Sequence, residues 1–83
     1  MVDKRRVLTS ETMMPGDNIF IIVEGPVSGE FIKVLVCFSR RLDDKKTVEF
    51  DVIEQVDVEP EEAEYKAGDI IEIDWKNIVM ARA

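Results

Sequence analysis

The sequence predicts an all-β chain, a small barrel or sandwich of about five to seven short strands. Three observations carry this. Apolar residues gather in short runs rich in β-branched and aromatic side chains, the clearest run alternates with a period of two, and Gly, Pro and Asp punctuate the gaps between runs. No heptad repeat is present.

Val7-Leu8 is read as a short first strand. Ile19 to Val23 is a continuous apolar run, the pattern of a strand covered on both faces. Gly25-Pro26-Val27-Ser28-Gly29 supplies the turn residues of a hairpin loop. Phe31 to Phe38 then forms the third strand, with only Lys33 interrupting it. Ser39 to Lys46 is charged and reads as a loop.

From Thr47 to Val58 the alternation is plain: Val48, Phe50, Val52, Val56 and Val58 share one face, and Thr47, Glu49, Asp51, Gln55 and Asp57 the other. The pattern slips at Ile53-Glu54, which predicts a bulge or bend. Glu59 to Gly68 holds Pro60 and then Glu61 to Lys66, enough for about one helical turn. Ile71, Ile73 and Trp75 alternate with acids, and Ile78 to Ala81 closes the chain as the sixth strand. Elements this short and this spaced suit an SH3-like or OB-like domain, one unit spanning residues 1–83.

One pattern occurs twice. Met14-Pro15-Gly16-Asp17 precedes Ile19, and Lys66-Ala67-Gly68-Asp69 precedes Ile71. Glycine supplies an unusual backbone angle and Asp ties the turn, so the echo predicts one turn solution used twice, with internal duplication as the alternative. The last seventeen or so residues resemble the closing strands of molybdate-binding and transport-associated OB-like domains. That likeness covers one strand pair and does not extend to the preceding two-thirds.

The 83 residues are 46% hydrophobic and 35% charged, a balance that supports a core and excludes intrinsic disorder. The net charge of −7 is unevenly placed. Residues 1–46 carry eight Lys/Arg against seven Asp/Glu, whereas residues 47–83 carry three against eleven. A lone cysteine, Cys37, forbids an intramolecular disulfide, and Met1 to Arg6 lacks an apolar signal-like run behind it. The longest apolar stretch is far too short for a bilayer, so the expectation is a cytoplasmic chain with no membrane contact.

Catalytic equipment is scarce. With no histidine, the commonest general base and nitrogen ligand are missing, and Ser10, Ser28 and Ser39 have no evident activator. Cys37 lies inside an apolar strand and is expected to be a shielded, inert thiol. The cluster Asp57, Glu59, Glu61, Glu62 and Glu64 lacks the turn glycine of a calcium loop. No catalytic residue, metal or cofactor is expected, and the chain reads as a non-enzyme.

The expected function is a non-enzymatic interaction module that binds another protein or itself, such as an accessory, regulatory or assembly component of phage or bacterial type. Strands that are apolar on both faces motivate it, because another chain can cover them. Candidate contact residues are Arg5, Arg6, Arg40 and Arg41 on the basic side, Glu61, Glu62 and Glu64 on the acidic side, and Trp75. One alternative is a nucleotide or nucleic-acid binder using the basic N-terminus and the 39–46 loop. The net charge disfavours it, and Tyr65 and Trp75 alone offer aromatic rings outside the apolar strands. Another is an acidic mimic of nucleic acid that blocks a nucleic-acid-binding protein.

Overall fold

Every second residue of the three longest strands turns inward, and these residues make the core. The computed structural model describes residues 13–25, 29–43 and 46–82. Its strands are β1 (Asn18–Glu24), β2 (Phe31–Arg41), β3 (Thr47–Gln55), β4 (Ile70–Asp74) and β5 (Ile78–Arg82). Single 3-10 turns lie at Pro60–Glu62 and Trp75–Asn77. The expected first strand at Val7-Leu8 lies outside the described residues. All pairings are antiparallel in one sheet of order β4-β3-β2-β1-β5. The fold is therefore all-β, as the period-two pattern predicts.

Ile19, Ile21 and Val23 from β1 meet Ile32, Val34, Val36 and Phe38 from β2, and Val48, Phe50 and Val52 from β3. All are buried, with Met13, Ile78 and Ala81 completing the cluster. Phe38 and Phe50 sit opposite each other in the register, with ring centroids 5.9 Å apart at 61°, an edge-to-face contact. Ile71, Ile73, Tyr65 and Trp75 pack on the rim of this core.

The outer face departs from expectation in three places. Phe20 and Ile22 are half-buried, so β1 is fully covered on one face only. Phe31 is 60% exposed, and is not a core residue. Cys37 falls on the outer face with Lys33 and Leu35, half-buried, and so is not enclosed in the core as its apolar neighbours in sequence imply. Strand parity is the reason: the four buried residues of β2 are the even-numbered ones.

Two boundaries also move. Ser39, Arg40 and Arg41 extend β2 and do not belong to the following loop, because Arg40 and Arg41 pair with Glu49 and Val48. β3 ends at Gln55, short of Val58. There Val56 donates to the Lys33 carbonyl at 2.9 Å, and Asp57 takes a positive φ of 64° that turns the chain away. The expected bulge is present: Leu35 faces Glu54 while Val36 faces Val52, leaving Ile53 as the extra residue.

The repeated Gly-Asp pattern becomes one structure built twice. Asp17 donates to the Met14 carbonyl at 3.0 Å while its carboxylate accepts from the Met14 amide at 2.9 Å. Asp69 and Lys66 make the same two bonds, both at 3.0 Å. Gly16 and Gly68 hold φ of 94° and 92°, which glycine adopts without a steric cost. Each turn docks on a neighbouring strand in the same way. Gly16 donates to the Phe38 carbonyl and Phe38 to the Asp17 carbonyl; Gly68 donates to Val52 and Val52 to Asp69.

The strands that follow keep step. Asn18↔Cys37 through Ile22↔Lys33 correspond, pair by pair, to Ile70↔Asp51 through Asp74↔Thr47. Cys37 and Asp51 themselves face each other across β2 and β3. The four strands β4-β3-β2-β1 thus have an approximate two-fold symmetry of register about that pair. β5 alone breaks it, lying on the free side of β1.

Candidate functional site

Antiparallel pairing sorts the charged residues into two ends. At one end, β1 finishes at Glu24, Glu30 precedes β2, and Glu54 stands one residue before the end of β3. The segment after β3 adds Asp57, Glu59, Glu61, Glu62 and Glu64. Among the described residues, Lys33 and Lys66 are the cations there. At the other end, Arg40, Arg41, Lys46 and Lys76 lie with Asp17, Asp43, Glu49, Glu72 and Asp74, so the charges there are nearly balanced. The acidity is therefore polarised along the strands, and Glu24 and Glu30 from the first half of the chain join it.

The acidic end also carries concave surface. A hollow of about 340 Å³ is lined by apolar side chains from Val58, Pro60, Ala63, Tyr65 and Ala67, with Glu54, Gln55 and Lys66 at its margin. Local bonds fix its walls. The Gln55 side-chain carbonyl accepts from the Tyr65 amide at 3.0 Å, which ties the far side of the loop to β3. The 3-10 turn closes with Ala63 donating to Pro60, and Lys66 Nζ donates to the same Pro60 carbonyl at 3.2 Å. Pro60 suits the first helical position because its missing N–H is not needed there. A second hollow of about 260 Å³ shares Gln55 and Val58 and is lined by Glu30, Ile32 and the exposed Phe31. The two hollows flank the turn at Val56-Asp57.

Burial pushes the Tyr65 phenol above its ordinary range, and the adjacent Glu64 carboxylate pushes it further. The hydroxyl in the wall of the hollow is thus a neutral hydrogen-bond group at physiological pH. An absorbance titration of this single tyrosine is expected to have its midpoint above about 10. Glu64→Gln should lower that midpoint without restoring the ordinary value, because burial is the larger cause. A folded-state pKa above the unfolded one gives stability that is complete below about pH 10 and is lost as pH rises through the folded pKa. An unmoved midpoint in Glu64→Gln would remove the carboxylate from this account.

The residues singled out in the sequence fall at opposite ends. Glu61, Glu62 and Glu64 are exposed, in the same loop as Pro60, Ala63 and Tyr65 of the larger hollow's lining. Arg40 and Arg41 lie at the other end, as does Trp75, whose amide donates to the Lys46 carbonyl at 2.8 Å. Arg40 Nε reaches a Glu49 oxygen at 3.4 Å while Ser39 donates to the other at 3.0 Å. Arg41 donates to the Met13 carbonyl at 2.9 Å and lies over the Phe38 ring at 5.0 Å. Trp75 packs on the core rim. Arg5 and Arg6 lie outside the described residues. The structure therefore places Arg40, Arg41 and Trp75 at the same end of the sheet and the three glutamates at the other.

Gln55, Val58, Ala63 and Phe31 line the hollows although nothing in the sequence marks them as site residues. Val58 carried only an indirect signal, since it continued an alternation that no strand can follow past Pro60. Among the described residues, no three of Asp, Glu or Cys come together as a metal-binding group, and no helix is long and apolar enough to cross a membrane. No family model, no curated protein and no solved structure matches the chain.

Proposed function

We propose that this domain is a non-catalytic protein-interaction module whose acidic end receives a basic segment carrying an apolar anchor. The observation that supports this reading is the coincidence of the 340 Å³ apolar hollow with the acidic end of the sheet. An apolar side chain seated against Val58, Ala63 and Tyr65 would supply burial energy of about 25 cal/mol per Å². The surrounding glutamates would steer and orient a cationic chain, and their exposed pairings would be individually weak, about 0.2–1 kcal/mol.

Amide chemical shifts of the full chain, followed during titration with short peptides, test the proposal. A peptide alternating lysine with leucine is expected to shift Gln55, Val58, Ala63 and Tyr65, with affinity falling as salt rises. One alternating glutamate with leucine is expected to shift nothing. Converting Glu61, Glu62 and Glu64 together to glutamine should weaken binding about tenfold, and Ala63→Arg should abolish it. Equal responses to the two peptides, or none to either, would sink the reading.

A further inference from the structure

β4 and β5 are the two margins of the sheet, each five residues long. Among the described residues neither pairs on its outer side. Such a margin offers unpaired N–H and C=O groups to another strand. Both also display apolar side chains: Ile70 on β4 is 66% exposed, and Val79 and Met80 on β5 are 55% and 40% exposed. Ile71 and Ile73 point to the core side yet are only partly covered, because the core stops at β4.

The two-fold symmetry of register adds an independent observation. β1 and β4 stand in matching register to β2 and β3, through matching turns. β1 holds a fifth strand on its other side, and among the described residues β4 does not. Among the described residues, the place equivalent to that of β5 is thus open on β4.

Charge selects the strand that fits there. β4 carries Glu72 and Asp74, whereas β5 carries Arg82 and no acid. Two β4 strands laid antiparallel about their midpoints would set Glu72 of one copy against Glu72 of the other, a destabilising like-charge pair. β4 against β5 opposes unlike charges and brings exposed apolar side chains together. We infer that this domain self-associates head to tail, the β4 margin of one copy pairing with the β5 margin of the next. Main-chain hydrogen bonds across the junction hold it, and the alternating side chains set its register. Each copy offers both halves of the contact, so the assembly closes into a ring or continues as a filament.

Light scattering coupled to size-exclusion chromatography of the full chain is the test. The wild type should run at a multiple of 9.5 kDa. Two double variants, Ile70→Lys with Glu72→Lys and Val79→Lys with Met80→Lys, alter exposed side chains only. Each alone should run as a single chain with an unchanged far-ultraviolet circular dichroism spectrum. Mixed in equal amounts, they should form a dimer through the one intact margin each retains. Were a double variant to unfold, Ile70→Lys and Val79→Lys carry the same comparison.

A wild type that stays monomeric up to about 1 mM overturns the inference. So does association by the first variant alone, which would mean β5 pairing with β5, or by the second alone, which would mean β4 pairing with β4. A mixture that stays monomeric overturns it equally. Ala63→Arg should leave the assembly mass unchanged, which separates failure here from failure of the peptide-binding proposal.

Discussion

Replacing Phe50 by alanine is expected to destabilise the domain by about 3–5 kcal/mol. Its ring is wholly buried and packs edge-to-face on Phe38 across the central strand pair. The loss has two parts, the transfer energy of the missing ring and the cavity left behind, which β-strands fixed by ladder bonds on both sides cannot collapse to fill. β3 is paired with β2 on one side and β4 on the other. A domain of this size has a total stability of about 5–10 kcal/mol, so much of it would go. Urea unfolding followed by tryptophan fluorescence measures this directly, and a loss below about 1 kcal/mol would contradict the packing described. Phe31→Ala is the control. Its ring is 60% exposed, and the expected change is within about 0.5 kcal/mol.

Gly16→Ala and Gly68→Ala are each expected to lower stability by about 1–2 kcal/mol. At both positions an added Cβ would meet nothing within 4 Å, so crowding plays no part. The whole cost is that of placing an L-residue at a φ near 93°, between the 94° and 92° observed. The two turns share no hydrogen-bond partner, and the double variant should therefore show the sum of the single losses. Losses that differ several-fold between the two sites in the same unfolding assay would show that the turns are not equivalent.

Much of the fold was legible because a strand buried on one face writes its parity into the sequence. Val48, Phe50 and Val52 alternate with polar residues, and the slip at Ile53 marks the bulge. Phe31 and Cys37 were misread for the opposite reason. In an unbroken apolar run nothing local says which parity faces inward, and only pairing with β1 and β3 decides it. Ser39, Arg40 and Arg41 look like loop because they are polar. They are strand because Glu49 stands opposite, ten or so residues away, with a carboxylate that takes bonds from both Ser39 and Arg40.

The candidate site was legible in its charge and hidden in its shape. Glu61, Glu62 and Glu64 stand out as a cluster, but Glu24 and Glu30 join them only through the direction in which β1 and β2 run. The wall of the hollow is tied to β3 by a bond from the Tyr65 amide to the Gln55 side chain, ten residues away. No spacing rule announces such a bond. Trp75, distant in sequence from Arg40 and Arg41, reaches the same end of the sheet because β2 ends where β3 begins and β4 runs back to the same place.

The paired turns carry a lesson about how little text a backbone instruction needs. Met14-Pro15-Gly16-Asp17 and Lys66-Ala67-Gly68-Asp69 agree at two letters of four, yet they launch strands with the same hydrogen bonds and the same register. The other two positions are released from geometry. In one copy they are Met and Pro leading from the buried Met13; in the other, Lys and Ala supply part of the wall around the hollow. One grammatical phrase, spoken twice, leaves half its words free for local meaning.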